Sequence, residues 1–153
     1  MKVIVIGGGA SGMMASLASS KNNQVTLIER NDELGKKLKI TGGGRCNITN
    51  NREIEDFFDK VVTNRKFLYS SFYSFTNRDL LNYFNKNNLE YKVEHDNDEK
   101  VYTKSDKSIE VIETLKKDLI KNKVNIIYNK KVIDLIVENN AVIGVITQYN
   151  DKI

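Results

Sequence analysis

The chain has 153 residues, of which 40% are hydrophobic and 29% charged, a balance that supports one domain with a real core and excludes long disordered segments. No apolar run approaches the length of a transmembrane helix. The net charge of +4 is dispersed among acids, with no basic block or aromatic-basic stripe, which argues against nucleic-acid and membrane partners. The one cysteine, Cys46, excludes an internal disulfide, and no basic segment leads into a signal-like apolar stretch after Met1; both point to the cytoplasm.

In chain order, Lys2-Val3-Ile4-Val5-Ile6 is a short β-branched run predicting a strand buried on both faces, as in a parallel sheet. Gly7-Gly8-Gly9 stops it. Residues 10–20 predict a helix, small and apolar on most sides and therefore buried, ended by Asn22-Asn23. Val25 to Ile28 predicts a second buried strand, followed by Glu29-Arg30. Strand, helix and strand within thirty residues have the size of a βαβ unit. Residues 31–52 read as irregular and glycine-rich. Residues 53–62 and 64–75 place aromatic residues at helical spacing, and a helix is expected from Asn77 to about Lys86. Short strands follow at 90–94 and 100–103 around the polar turn His95-Asp96-Asn97-Asp98. A helix capped by Ser105 or Ser108 carries Ile109, Ile112, Leu115 and Leu119 on its apolar face. Strands at 124–128, 131–137 and 141–147 close the chain, the last two joined by the turn Asn139-Asn140.

Gly7-Gly8-Gly9-Ala10-Ser11-Gly12 is a G-x-G-x-x-G pattern, weak alone. Here it follows a strand, opens a helix and has Glu29 at the end of the next strand. Gly7 permits the tight turn, Gly9 lets a pyrophosphate approach the backbone, and Gly12 lets helix and strand pack closely. The helix N-terminus offers free N–H groups to phosphate, and Glu29 offers an acceptor to ribose hydroxyls while repelling a 2′-phosphate. FAD and NAD share the ADP half, so both remain open on this motif. A second cluster, Thr41-Gly42-Gly43-Gly44-Arg45-Cys46-Asn47, has the composition of an anion-binding loop, with Arg45 suited to phosphate or a flavin carbonyl.

The run from Gly35 through Lys36, Lys37, Thr41, Gly44, Arg45, Cys46 and Asn47 to Asn50 resembles the hallmark of the BaiN-type (YhiN-like) NAD(P)/FAD-dependent oxidoreductases, also described as aminoacetone oxidase family FAD-binding enzymes. Lys100-Val101-Tyr102-Thr103-Lys104-Ser105-Asp106-Lys107 resembles a further family segment, with Tyr102 in place of Phe and Thr103 in place of Pro. Ser16 replaces the usual Ala. The resemblance spans essentially the whole chain. It implies an α/β fold: a Rossmann-like, glutathione-reductase-like FAD-binding domain with a parallel sheet, helices and an antiparallel β-meander. Its parts are a βαβ unit (1–30), a Gly-rich cofactor loop (31–52), a helical insertion (53–104) and a helix with the meander (105–153). The implied cofactor is FAD, with NAD(P)H as electron donor and a small organic molecule as substrate. Gly7, Gly9, Ala10, Ser11 and Gly12 are implied at the pyrophosphate, Glu29 at the ribose, and Arg30 and Lys37 near the adenosine end. Gly44, Arg45 and Cys46 are implied near the phosphates or flavin, and Val132 at the adenine. Family members are longer and continue into a further sheet strand, so the chain is expected to be an inactive N-terminal fragment whose first strand has a bare edge.

Other residues read as structural. Cys46 lacks a partner cysteine, His95 sits in a solvated turn, and Tyr69, Phe72, Tyr73 and Phe75 are expected in the core or at a domain interface. An NAD-binding dehydrogenase domain and a non-catalytic nucleotide-binding fragment are the competing readings. A flavoprotein acting on tRNA would need a basic face.

Overall fold

The computed structural model describes residues 1–153. In chain order the elements are β1 (Lys2–Ile6), α1 (Ala10–Ser20), β2 (Gln24–Ile28), α2 (Lys36–Ile40), a 3-10 turn (Thr41–Gly44), β3 (Thr49–Asn50), α3 (Ile54–Asp59), a second 3-10 turn (Arg65–Leu68), α4 (Tyr69–Ser74), α5 (Asn77–Lys86), β4 (Tyr91–Glu94), β5 (Lys100–Thr103), α6 (Ser108–Lys121), β6 (Asn125–Ile127), β7 (Val132–Glu138) and β8 (Ala141–Thr147). They fall into two compact units: Met1–Lys39 with Leu115–Ile153, and Ile40–Thr114.

In the first unit β1, β2 and β6 form a parallel sheet in the order β1-β2-β6. Parallel neighbours need a long crossover, and α1 supplies it between β1 and β2. The core gathers Met13 and Leu17 of α1, Val25, Leu27 and Ile28 of β2, and Leu119 of α6. Each such side chain contributes roughly 1.5–3 kcal/mol by leaving water. Because β1 is paired on one side only, by β2, its residues Val3, Ile4 and Val5 are half-buried and Ile6 is exposed. The expectation of burial on both faces therefore holds for β2 and fails for the edge strand. The expected burial of α1 on most sides is corrected too: the helix packs on β1 and β2 by one face, so Met13, Ser16 and Leu17 are buried while Ala10, Ser11, Ala15 and Ala18 face solvent. Ser16 is accommodated because its hydroxyl donates to the Gly12 carbonyl at 2.8 Å. The antiparallel hairpin β7–β8 turns at Asn139 and Asn140, both at positive φ (49° and 63°), as expected from asparagine's tolerance of that region.

In the second unit β3, β5 and β4 form an antiparallel sheet. Helix α5 begins with a capping box between Thr76 and Asp79, which satisfies two orphan N-terminal donors and holds the Asp79 carboxyl below its ordinary range. The aromatic stretch forms α3 and α4, with Phe58 buried and packed edge-on to Tyr69 at 4.5 Å between centroids. Tyr69, Tyr73 and Phe75 are themselves exposed, so of their two expected places, core or domain interface, the core is excluded: helices this short offer one covered face, and Phe58 with half-buried Phe72 fills it. Helix α6 opens at Ser108, just after Lys107 donates its N–H to Thr103 Oγ1 at 2.9 Å. Its apolar face is carried by Val111, Ile112, Leu115 and Leu119, whereas Ile109 in the first turn is exposed. No helix is long and apolar enough to cross a membrane.

Candidate functional site

The turn from β1 into α1 is built by glycine where the geometry demands it. Gly7 sits at φ +98°, a region that side-chain-bearing residues avoid, and ties back to β2 by donating its N–H to the Ile28 carbonyl at 2.8 Å. A Cβ on Gly12 would collide with the Gly7 carbonyl oxygen, and one on Gly8 would collide with the Leu34 side chain. Gly9 differs. Its backbone is extended (φ −76°, ψ −177°), and a Cβ there would meet nothing within 4 Å. The fold requires glycine at 7 for its φ and at 12 for backbone contact; at 8 a Cβ asks the Leu34 side chain to shift, and at 9 the chain itself asks for nothing.

Helix α1 begins with Gly9 as its N-cap, without a side-chain cap, and its first main-chain bond runs from Met13 N–H to the Gly9 carbonyl at 2.9 Å. The N–H groups of Gly9, Ala10, Ser11 and Gly12 therefore precede the hydrogen-bond ladder, and Gly9, Ala10 and Ser11 are solvent-exposed. Four unpaired donors at the positive end of a three-turn helix form an anion-binding surface.

Glu29, buried at 6% exposure, directs its carboxylate at this turn. Oε2 accepts from Gly8 N–H at 2.6 Å. Oε1 accepts from the N–H and the side-chain Nδ2 of Asn31, at 2.8 and 2.6 Å. The end of β2 is held in place by β6 and the residues after it, since Glu29 N–H donates to the Ile127 carbonyl, Lys130 N–H to the Glu29 carbonyl, and Asn129 N–H to the Asn31 carbonyl. A carboxylate offers about four lone-pair positions, so acceptor capacity remains on Oε2. Arg30 and Lys37 are exposed, the latter in α2. Val132 begins β7 opposite Thr147, at a register irregularity.

Gly44, Arg45 and Cys46 belong to the second unit. Gly42, Gly43 and Gly44 all lie at positive φ (57°, 65° and 89°), and Cys46 shares that conformation at 57°. The Arg45 guanidinium is committed to protein. Its Nε donates to Asp106 Oδ1 at 2.8 Å, its Nη2 pairs with Glu94, and it lies 4.0 Å over the Tyr102 ring. Asp106 also accepts from Lys92 at 2.6 Å. The bonds from Glu94 and Asp106 make Arg45 hold its proton more firmly still. Lys92 and Arg45 depress the Asp106 carboxyl, and Arg45 with Asn97 depresses that of Glu94. Cys46 is buried at 1% exposure, its thiol pushed up by burial and eased back by a hydrogen bond with Thr41. Sequence reasoning placed these three residues by motif and missed Arg45's carboxylates, which lie 49 and 61 positions away. It also missed Gly8 as a donor and Asn31 as a clamp on Glu29; Asn two residues after the acidic position was the available signal.

A glycine turn that only a parallel βαβ unit explains, with a carboxylate folded onto it, is the Rossmann arrangement, and the sequence matches the HI0933-like protein Rossmann domain over residues 1–153. The chain belongs to that family. It is 32% identical over 136 residues to a 3-dehydro-bile acid delta(4,6)-reductase of Clostridium scindens, covering 82% of this chain and 30% of that protein. It is 36% identical over 87 residues to a ribosomal RNA dihydrouridine synthase of Escherichia coli, covering 56% of this chain and 21% of that one. The chain thus spans less than a third of the curated relatives it matches. Among solved structures, the open conformation of a flavocytochrome c3 fumarate reductase superposes with a TM-score of 0.72 at 18% identity, covering 95% of this chain and 30% of that one. A 3-ketosteroid-delta4-(5alpha)-dehydrogenase of Rhodococcus jostii superposes at 0.71 and 13% identity, covering 98% and 42%. The architecture is that of a Rossmann-like FAD-binding domain, as the fold reading expected.

The HI0933-like residues present fit the adenosine diphosphate half of such a cofactor. Gly9 leaves open the space a side chain would fill, the free N–H groups suit a diphosphate, and buried Glu29 suits an uncharged ribose diol.

Proposed function

We propose that the first unit holds the ADP half of FAD, and that the chain is the cofactor-binding part of a flavin-dependent oxidoreductase of the cytoplasm. The observation that carries this reading is Gly9: the glycine of the motif that neither its backbone conformation nor a neighbouring atom of the protein demands, at the head of a helix with unpaired donors. Ala10, Ser11 and Gly12 N–H groups bind the diphosphate, Glu29 orients the ribose, and Arg30 and Lys37 lie towards the adenosine end. Val132 lies at the adenine. Bound FAD supplies two-electron chemistry through its isoalloxazine ring; the protein supplies position and electrostatics. The reading for the ADP half stands on the first unit alone, because the Arg45 guanidinium is engaged by Glu94 and Asp106.

Two relatives support a substrate class, since their names denote addition of two hydrogens: a bile-acid delta(4,6)-reductase and a dihydrouridine synthase. We propose the same class for the longer activity: reduction of a ring carbon–carbon double bond, with NAD(P)H as the electron source. One of those names concerns RNA, so an RNA substrate stands beside a small-molecule one within this proposal, despite the dispersed surface charge.

Titrating FAD into the chain and following quenching of flavin fluorescence tests the assignment. Binding is expected, with ADP competing and FMN, which lacks the ADP half, failing to compete. Binding of NAD with indifference to FAD would favour a dehydrogenase domain instead.

A further inference from the structure

Building on the dinucleotide reading above, we propose that Asn31 is the positioning residue that sets how strongly the site discriminates for the adenosine ribose hydroxyls. The Glu29 carboxylate, the ribose acceptor of that reading, is already held by three protein donors. Two of them, the main-chain and side-chain N–H groups of Asn31, fall on the same oxygen, Oε1. Only Gly8 N–H falls on Oε2. The pair from Asn31 fixes the plane of the carboxylate and saturates Oε1, which leaves Oε2, beside the glycine turn, as the oxygen with a free lone pair.

Asn31 is itself anchored. Its carbonyl accepts from Asn129 N–H at 3.0 Å, so the end of β2 and the segment after β6 move together. A side chain that donates from a main chain locked on both sides is a fixed clamp rather than a flexible surface amide. Removing the amide leaves Oε1 with one donor and lets the carboxylate turn about its last bond. The acceptor is still present but no longer aimed, and a hydroxyl bonded to a mobile carboxylate loses the advantage of preorganisation.

The signature is a loss of selectivity without loss of fold. Affinities for ADP, 2′-deoxy-ADP and inorganic pyrophosphate are measured by calorimetry on the full chain and on Asn31→Ala, Asn31→Ser and Glu29→Gln. The unaltered chain is expected to prefer ADP to 2′-deoxy-ADP by roughly tenfold, the scale of one hydrogen bond to a charged group. Asn31→Ala brings that ratio close to one, leaves pyrophosphate affinity nearly unchanged and lowers the thermal midpoint by only a few degrees, the scale of one lost bond to a charged group. Asn31→Ser, which keeps a short donor, recovers part of the ratio, and Asn31→Ala adds nothing further in a Glu29→Gln background. A ratio that stays the same in a folded Asn31→Ala chain overturns the role of Asn31 while leaving the ADP site intact. If the unaltered chain binds no ADP, the dinucleotide reading falls and takes the clamp with it. Should Asn31→Ala unfold, Asn31→Ser alone decides: an unaltered ratio there, with binding otherwise weakened, makes Asn31 merely structural.

Discussion

Gly8 donates its main-chain N–H to the Glu29 carboxylate at 2.6 Å, closing a link of 21 positions between the turn after β1 and the end of β2. The bond is buried, so one side chain both fastens the βαβ unit and presents an acceptor at its ligand-facing turn. Replacing Glu29 by Ala leaves the buried Gly8 N–H and the part-buried Asn31 donors without an acceptor. The expected cost is about 2–3 kcal/mol, the desolvation penalty of unmade bonds to a charged group. Urea unfolding of Glu29→Ala against Glu29→Gln measures it. Gln retains one carbonyl acceptor and is expected to lose about half as much stability, while both variants lose FAD affinity.

The glycines of the turn separate by what their side chains would strike. Gly12→Ala forces a Cβ into the Gly7 carbonyl oxygen and is expected to destabilise the chain by several kcal/mol or to prevent folding, whereas Gly8→Ala asks only side-chain atoms of Leu34 and Glu29 to move and is expected to cost less. Gly9→Ala meets nothing and keeps an ordinary extended conformation. Its thermal midpoint is expected within a few degrees of the parent, since the change in the unfolded chain is worth only about 0.4–1 kcal/mol. Its FAD affinity is expected to fall by at least about tenfold, because the methyl occupies the space left for the diphosphate. A Gly9→Ala chain that binds FAD unchanged would remove the observation on which the cofactor assignment stands.

Much of this was legible in the sequence for a plain reason: local periodicity and local motifs report local structure. The β-branched run, the glycines and Glu29 lie within thirty residues, and the pattern that names them also dictates a parallel pair with one crossover. Burial was less legible. The run Val3-Ile4-Val5 has the composition of a central strand, yet β1 is paired only with β2; composition does not encode sheet order, and the bare edge of β1 was legible only through the family resemblance. Helical spacing likewise announced α3 and α4 without saying which aromatic faces would be covered, so Phe58 is buried and Tyr73 is not. Arg45 shows the limit most clearly. Its neighbours in sequence suggest an anion-binding loop, while Glu94 and Asp106, which engage it, come from β4 and the turn after β5.

That ion network gives the second unit an acid limit. Asp106, depressed by Lys92 and Arg45, and Glu94, depressed by Arg45 and Asn97, carry folded-state values below their unfolded ones. Such groups add stability that is fully present above the unfolded carboxylate range, near pH ~4, and lost as pH falls through the depressed folded values. Thermal midpoints measured from pH 7 to pH 2 are therefore expected to drop in the acid limb, and the drop is expected to be shallower in Arg45→Met. All the partners are partly exposed, so added salt of about 0.5 M narrows the difference between the two chains. Arg45→Lys is expected to restore little. A single ammonium cannot fork to two carboxylates while stacking on Tyr102.

Cys46 completes the glycine loop from inside. It is 1% exposed, takes φ +57°, and donates its main-chain N–H to the Thr41 carbonyl at 3.0 Å. Burial raises the thiol above its ordinary value, and the Thr41 hydrogen bond offsets only part of that shift. Thiolate is the nucleophile, so both the small thiolate fraction and the lack of access slow any reagent. Reaction with a disulfide reagent such as DTNB at pH 8 is expected to be at least about a hundredfold slower in the native chain than in urea, gated by local opening of the loop. Thr41→Val removes the bond that lowers the thiol and is expected to slow labelling further if the loop stays closed. Native labelling as fast as in urea would show that the loop does not hold Cys46 inside.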